Sequence, residues 1–182
     1  MVLIDYKYRR RQTWCFTNGY TILEVMLVTA VLSIVILSAA PSFKVWTERT
    51  QFKQALLEVA ELTKNARISA LIHKTPFHVT AMGGSKNCIS VSRLPSCRCN
   101  DATSCVGDTD FIVLKLNSSQ VTLKTSSKKE KSTTFTPLGT LDFGDAATLF
   151  ISSEHYTGKT VISTLGRVRT CSDNYISGVA PC

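Results

Sequence analysis

Gly19-Tyr20-Thr21-Ile22-Leu23-Glu24 leads into VMLVTAVLSIVILSAAPSF, nineteen residues from Val25 to Phe43 without one formal charge. A run of that length spans the hydrocarbon of a bilayer as a helix. It also explains where the apolar content of the chain is concentrated. The 182 residues are 44% hydrophobic and only 19% charged, with a mean hydropathy of +0.09. That balance excludes an acidic disordered chain and a collagen-like repeat, and the run excludes a plain cytosolic enzyme. The length suits one domain with an appendage.

Upstream of the run stand Lys7, Arg9, Arg10 and Arg11, opposed only by Asp5. Basic residues before an apolar segment keep that end in the cytoplasm, which puts everything after Phe43 on the other side. The segment does not read as an ordinary secretory signal. In such a signal the small residue of the cleavage site follows the apolar stretch, whereas Gly19 precedes it. Glu24 is a second departure, because a carboxylate inside a membrane segment is costly and calls for a named partner. A single-pass anchor whose Glu24 snorkels to the interface is the plainer alternative, and it leaves Gly19 unexplained.

These residues closely resemble the class III signal of type IV prepilins and type II secretion pseudopilins. The resemblance implies cleavage by a prepilin peptidase between Gly19 and Tyr20, with N-methylation of Tyr20. It implies that Glu24, fifth in the mature chain, pairs with the N-terminal amine of a neighbouring subunit during assembly. It also accounts for Pro41 at the twenty-second mature position. Tyr20 replaces the usual Phe, a conservative aromatic change. The implied partners are other pilin subunits, the peptidase and the inner membrane. The implied location is the inner membrane with the head in the periplasm, then the pilus.

Downstream, Phe52, Ala55, Leu56, Val59, Leu62, Ala66 and Ala70 recur at three- and four-residue spacings. Glu48, Lys53, Glu58, Glu61 and Lys64 fill other positions, so an amphipathic helix continues the apolar one. Pro76 stops it. The remaining chain alternates in short runs: 77–82, 89–94, 111–116, 121–124, 140–143, 148–152 and 160–164. Gly83-Gly84, Pro95, Gly107-Asp108, Asn117–Ser119, Pro137, Gly144-Asp145 and Gly158 separate them. Lys128-Lys129-Glu130-Lys131 reads as a solvated loop or hairpin tip. The expected fold is α+β and pilin-like, with a long N-terminal helix, transmembrane in its first half, on an antiparallel sheet head. Its parts are a cleaved leader (1–19), the transmembrane half-helix (20–43), the amphipathic half (44–75) and a β-rich head (76–182).

Thr134-Phe135-Thr136-Pro137-Leu138-Gly139 and Gly166-Arg167-Val168-Arg169 resemble the GspH/FimT branch of this family. In its FimT subgroup a Gly-Arg-x-Arg motif is associated with DNA binding during natural transformation. The resemblance therefore implies DNA as a partner at Gly166, Arg167 and Arg169, within a chain of formal charge +8. The residues point the same way. On extended backbone Arg167 and Arg169 face one side, and two guanidinium forks suit successive phosphates. Lys159 precedes them, and Lys124, Lys128, Lys129 and Lys131 would widen the positive field. Tyr175 is the one aromatic close by in sequence, so sequence-independent phosphate contact is expected over base stacking. The plainer reading pairs one arginine with Asp173 or Glu154. A structural minor pilin or a GspH-like pseudopilin that initiates or caps the filament is the alternative function.

Of seven cysteines, Cys15 precedes the run and six follow it, an even number in an oxidising compartment. Cys171 and Cys182 bracket a short C-terminal loop and are expected to pair. Cys88, Cys97, Cys99 and Cys105 then have three connectivities. Their spacing lacks the C-x2-C knuckles of structural zinc sites, so no metal is expected. His73, His78 and His155 stand in no recognised catalytic arrangement, and the Ser152–His155 segment brings a nucleophile near a base in sequence only. Neither catalysis nor a cofactor is expected.

Overall fold

The structure, a computed structural model, describes residues 20–116, 120–126 and 130–182. Gly19, the basic run from Lys7, Cys15, Lys128 and Lys129 lie outside them. The chain divides into two compact units, Met1–Pro41 and Ser42–Cys182.

In the first unit, helix α1 (Ile22–His73) begins. Thr21 starts it, with its Oγ1 accepting from the Glu24 backbone N–H at 3.3 Å. The order Thr-x-x-Glu is that of a capping box, and it places a carboxylate on the positive end of the helix dipole. Tyr20 and the described side chains from Thr21 to Leu37 are all exposed. The described stretches Ile22–Leu37 and Ser42–His73 are each, taken singly, not long and apolar enough to cross a membrane; together they meet the length and composition for it.

In the second unit, α1 buries one stripe: Phe52, Leu56, Val59, Leu62, Ala66 and Ala70. This is the period read from the sequence. Glu48 departs from that reading, being buried on the same stripe instead of solvated. Lys74, at φ 53°, closes the helix before Pro76.

Eight strands follow: β1 (Phe77–Met82), β2 (Cys88–Ser92), β3 (Ile112–Lys115), β4 (Thr122–Thr125), β5 (Glu130–Phe135), β6 (Ala147–Ser152), β7 (Thr157–Ile162) and β8 (Val168–Ser172). They form two antiparallel sheets, ordered β3-β2-β1-β5 and β4-β6-β7-β8. The core joins both to the helix, with Phe77, Val79, Ile89 and Phe135 from one sheet and Leu123, Leu149, Ile151 and Ile162 from the other. Asn87 stitches the sheets together. Its side chain donates to the Val121 carbonyl at 3.2 Å and accepts from the Leu123 N–H at 2.9 Å. Gly158 on β7 leaves room for helix residue Phe52, whose ring would lie 3.1 Å from an added Cβ. Phe52 also stacks on Tyr156 at 5.8 Å between centroids.

Three expectations need correction. Residues 140–143 are not a strand. Leu141 makes only an isolated bridge to Phe135, and Phe143 is fully exposed. Glu130 and Lys131 are not a loop tip but open β5, with Lys131 opposite Ala81. Residues 168–172 form a strand that the alternation had not delimited.

Candidate nucleic-acid interface

The two stretches that carried the GspH/FimT resemblance touch each other. Thr136–Gly139 closes a turn through Gly139 N–H to Thr136 O at 2.8 Å. Ser163–Gly166 closes another, Gly166 N–H to Ser163 O, also at 2.8 Å, linking β7 to β8. Gly166 sits at φ +72° and is buried. A Cβ there would fall 1.9 Å from the Gly139 carbonyl oxygen. Arg67 Nε donates to that same oxygen at 2.9 Å. Gly166 therefore serves backbone packing between two turns. Its positive φ is the turn that glycine permits at this position.

That packing fixes the hairpin from which Arg167 and Arg169 emerge. Arg167 is locked at its backbone, its N–H donating to Ser163 Oγ at 3.2 Å and its carbonyl accepting from Ser163 N–H at 3.0 Å. Arg169 opposes Val161 within β8, an edge strand of its sheet. Both arginines are exposed. The plainer reading, an ion pair with Asp173 or Glu154, does not hold. Asp173 accepts from Thr157 Oγ1 at 2.9 Å, and Glu154 lies 3.9 Å from Lys44 Nζ. Among the described residues neither arginine has a carboxylate partner.

Lys159 lies opposite Cys171, two pairs along the same ladder, and so is diagonal to Arg169 on the same face. Lys124 belongs to β4 at the other edge of this sheet. Lys131 is on β5 in the other sheet and does not join the group. Tyr175, in the C-terminal loop, is exposed.

The loop after Arg169 is closed by the Cys171–Cys182 disulfide. Ser172 N–H donates to Ala180 O at 2.9 Å, Ile176 enters the core, and Lys53 Nζ donates to Ser177 O at 2.6 Å. Disulfides Cys88–Cys99 and Cys97–Cys105 settle the three-way choice in the other loop. These four cysteines are thus joined as interleaved pairs.

One buried group escaped the sequence. Glu48 accepts from the His155 N–H at 2.9 Å and lies 2.8 Å from His155 Nδ1. Burial pushes its carboxyl up, but hydrogen bonds from the His155 backbone, Ser153 and the His155 ring outweigh that and hold it below its ordinary range. His155 therefore has a partner, and the contact pins the β6–β7 turn to α1. With Glu154 these side chains form a compact cluster, and Glu48 is already engaged within it by hydrogen bonds. No spacing rule links residues 107 positions apart.

Comparison of folds places the architecture. The crystal structure of the Pseudomonas aeruginosa type IV minor pilin FimU superposes with a TM-score of 0.53 at 20% identity, covering 68% of this chain and 90% of that one. The fold is that of a type IV minor pilin. A second crystal form of FimU aligns at a TM-score of 0.49 and 18% identity, over 65% of this chain and 90% of that one. No protein-family model matches the chain, and no curated protein matches it closely.

Proposed function

We propose that this chain is a minor type IV pilin whose head binds DNA through its phosphates. The observation that carries this reading is the exposed pair Arg167 and Arg169, held by the hairpin and left without carboxylate partners among the described residues. Two forks with no carboxylate partner among the described residues remain available for an external polyanion. Lys159 adds a third cation beside them. The contacts are sequence-independent, and the protein acts as a binding subunit without catalysis.

The pilin reading of the N-terminus supports this placement. Prepilin peptidase cuts at Gly19-Tyr20, Tyr20 is methylated, and Glu24 pairs with a neighbour's amine. The described side chains at 22–37 are nearly all apolar and all exposed. A helix apolar on every side is stable only when buried in lipid or among other helices. Inner membrane before assembly and pilus afterwards satisfy that need.

A structural role in starting or capping a filament is the second reading. It draws on Leu138 and Leu165, 78% and 73% exposed beside the two touching glycines. The decisive experiment uses cells carrying the double variant Arg167→Gln, Arg169→Gln. Loss of DNA uptake with filament incorporation intact supports DNA binding. Normal uptake with normal incorporation turns the assignment to the structural role.

A further inference from the structure

We propose that the outer face of the β4-β6-β7-β8 sheet is a stacking platform for unpaired bases, with Phe150 as its aromatic contact and Lys124, Lys159 and Arg169 as its phosphate grips. The inference rests on the DNA-binding reading and extends it to the form of nucleic acid.

Register places these residues together. Lys124 opposes Phe150, and Phe150 opposes Lys159. Opposed residues of an antiparallel pair share a face, with Cβ atoms about 5 Å apart. The row thus reads lysine, phenylalanine, lysine over about 10 Å of sheet. Arg169 shares the face, two residues before Cys171, which opposes Lys159. The alternate residues Leu123, Leu149, Ile151, Thr160 and Ile162 point into the core, so the row faces solvent.

Phe150 is the unexpected member. Phenylalanine suits a pleated strand, and here its ring stands 42% exposed at the middle of the row, flanked by a lysine on each side. The strand residues that share this face, Thr122, Lys124, Thr148, Phe150, Ser152, Thr157, Lys159, Val161, Arg169 and Cys171, include no carboxylate. At the margin Asp173 accepts from Thr157 Oγ1 at 2.9 Å. Beyond Lys124 the positive field continues into a cavity of about 610 Å³, which Lys86 also lines. An exposed aromatic ring between cations fits a strand whose bases stack while its backbone follows the charges. A paired duplex keeps its bases stacked on each other and offers Phe150 nothing.

The test measures fluorescence anisotropy of a labelled oligothymidylate and of a duplex of equal length, with the full chain in detergent. Phe150→Ala should weaken oligothymidylate binding about tenfold and leave the duplex within about twofold. Phe150→Tyr should restore the loss. Phe150→Leu, which keeps an apolar side chain, should fold and still show it. Lys124→Gln should lower the log–log salt slope on the single strand by about 0.7. Equal weakening on both forms, or unchanged single-strand binding by folded Phe150→Leu, overturns the platform. So does unchanged strand binding accompanied by lost self-association, which makes the face a contact between subunits. If the parent binds neither form, the DNA reading itself fails; if only the Arg167 and Arg169 changes matter, the platform alone fails.

Discussion

Two pairs of arginines, Arg93 with Arg98 and Arg167 with Arg169, have opposite fates in this head. Arg93 pairs with Asp110 and lies over the Phe77 ring, its guanidinium carbon 5.5 Å from the centroid. Its N–H donates to Asp108 at 2.6 Å, and Arg98 Nε lies 3.3 Å from Glu130. Both follow β2, in a loop knitted by two disulfides. Arg167 and Arg169 sit at the other sheet's edge, where the acidic residues within sequence reach are engaged elsewhere. A cation is structural when an acid shares its neighbourhood and available for a ligand when none does. Linear spacing does not separate the two cases.

The comparison is broken most severely at Gly166. Gly166→Ala requires a side chain at φ +72° and drives a Cβ into the Gly139 carbonyl. Strain and overpacking together should cost about 4 kcal/mol. Calorimetry should show the head melting lower by on the order of 10 °C. An unchanged melting temperature would mean the two turns are not packed as described.

The disulfide behind the free pair comes next. Cys171→Ser with Cys182→Ser opens a loop whose ends lie 11 positions apart in sequence and should cost about 3 kcal/mol in denaturant unfolding. Peptide mapping without reductant should recover Cys171 joined to Cys182, with Cys88–Cys99 and Cys97–Cys105 as separate pairs. A link between Cys171 and the second group would contradict the closed tail.

On the structural pair's side, Asp108→Asn leaves Ser92 Oγ and the Arg93 N–H facing a neutral amide at their 2.6 Å contacts. A loss of about 2 kcal/mol is expected, with DNA affinity unaltered. Acid titration sharpens the same point. Burial raises the Asp108 carboxyl, but Ser92, the Asp110 and Arg93 N–H groups and the Arg93 charge bring it below its ordinary value, and Glu48 is lowered too. For groups lowered by folding, stability is full above the unfolded carboxylate range and lost as pH falls through the folded values. Thermal midpoints should be flat near neutrality and drop in acid. Glu48→Gln should make that acid limb shallower; an unchanged limb would mean that Glu48 titrates alike folded and unfolded.

Much of this was legible beforehand. The apolar period of α1 marked Phe52 to Ala70 correctly because a helix on a core repeats its buried stripe. The tail disulfide followed from two cysteines bracketing a turn-rich segment. The strands hardest to read, β5 and β8, are both sheet edges. Edge strands carry charge and polar residues that blunt further pairing, so their alternation is masked. Glu130 and Lys131 looked like a loop for that reason. Phe150 was missed for a different one: it lies 26 residues from Lys124 by number, and only register makes them neighbours. The Glu48–His155 contact is likewise a product of topology.

The central claim is that Arg167 and Arg169 are free to grip phosphate, and the salt dependence of duplex binding tests it most directly. Each phosphate contact contributes about 0.9 to the log–log slope, and affinity for such contacts is on the order of 10⁻⁴–10⁻⁶ M. The double variant Arg167→Gln, Arg169→Gln should flatten the slope by up to about 1.8 while its thermal midpoint stays that of the parent. A folded variant with the parent's slope and affinity would contradict the account.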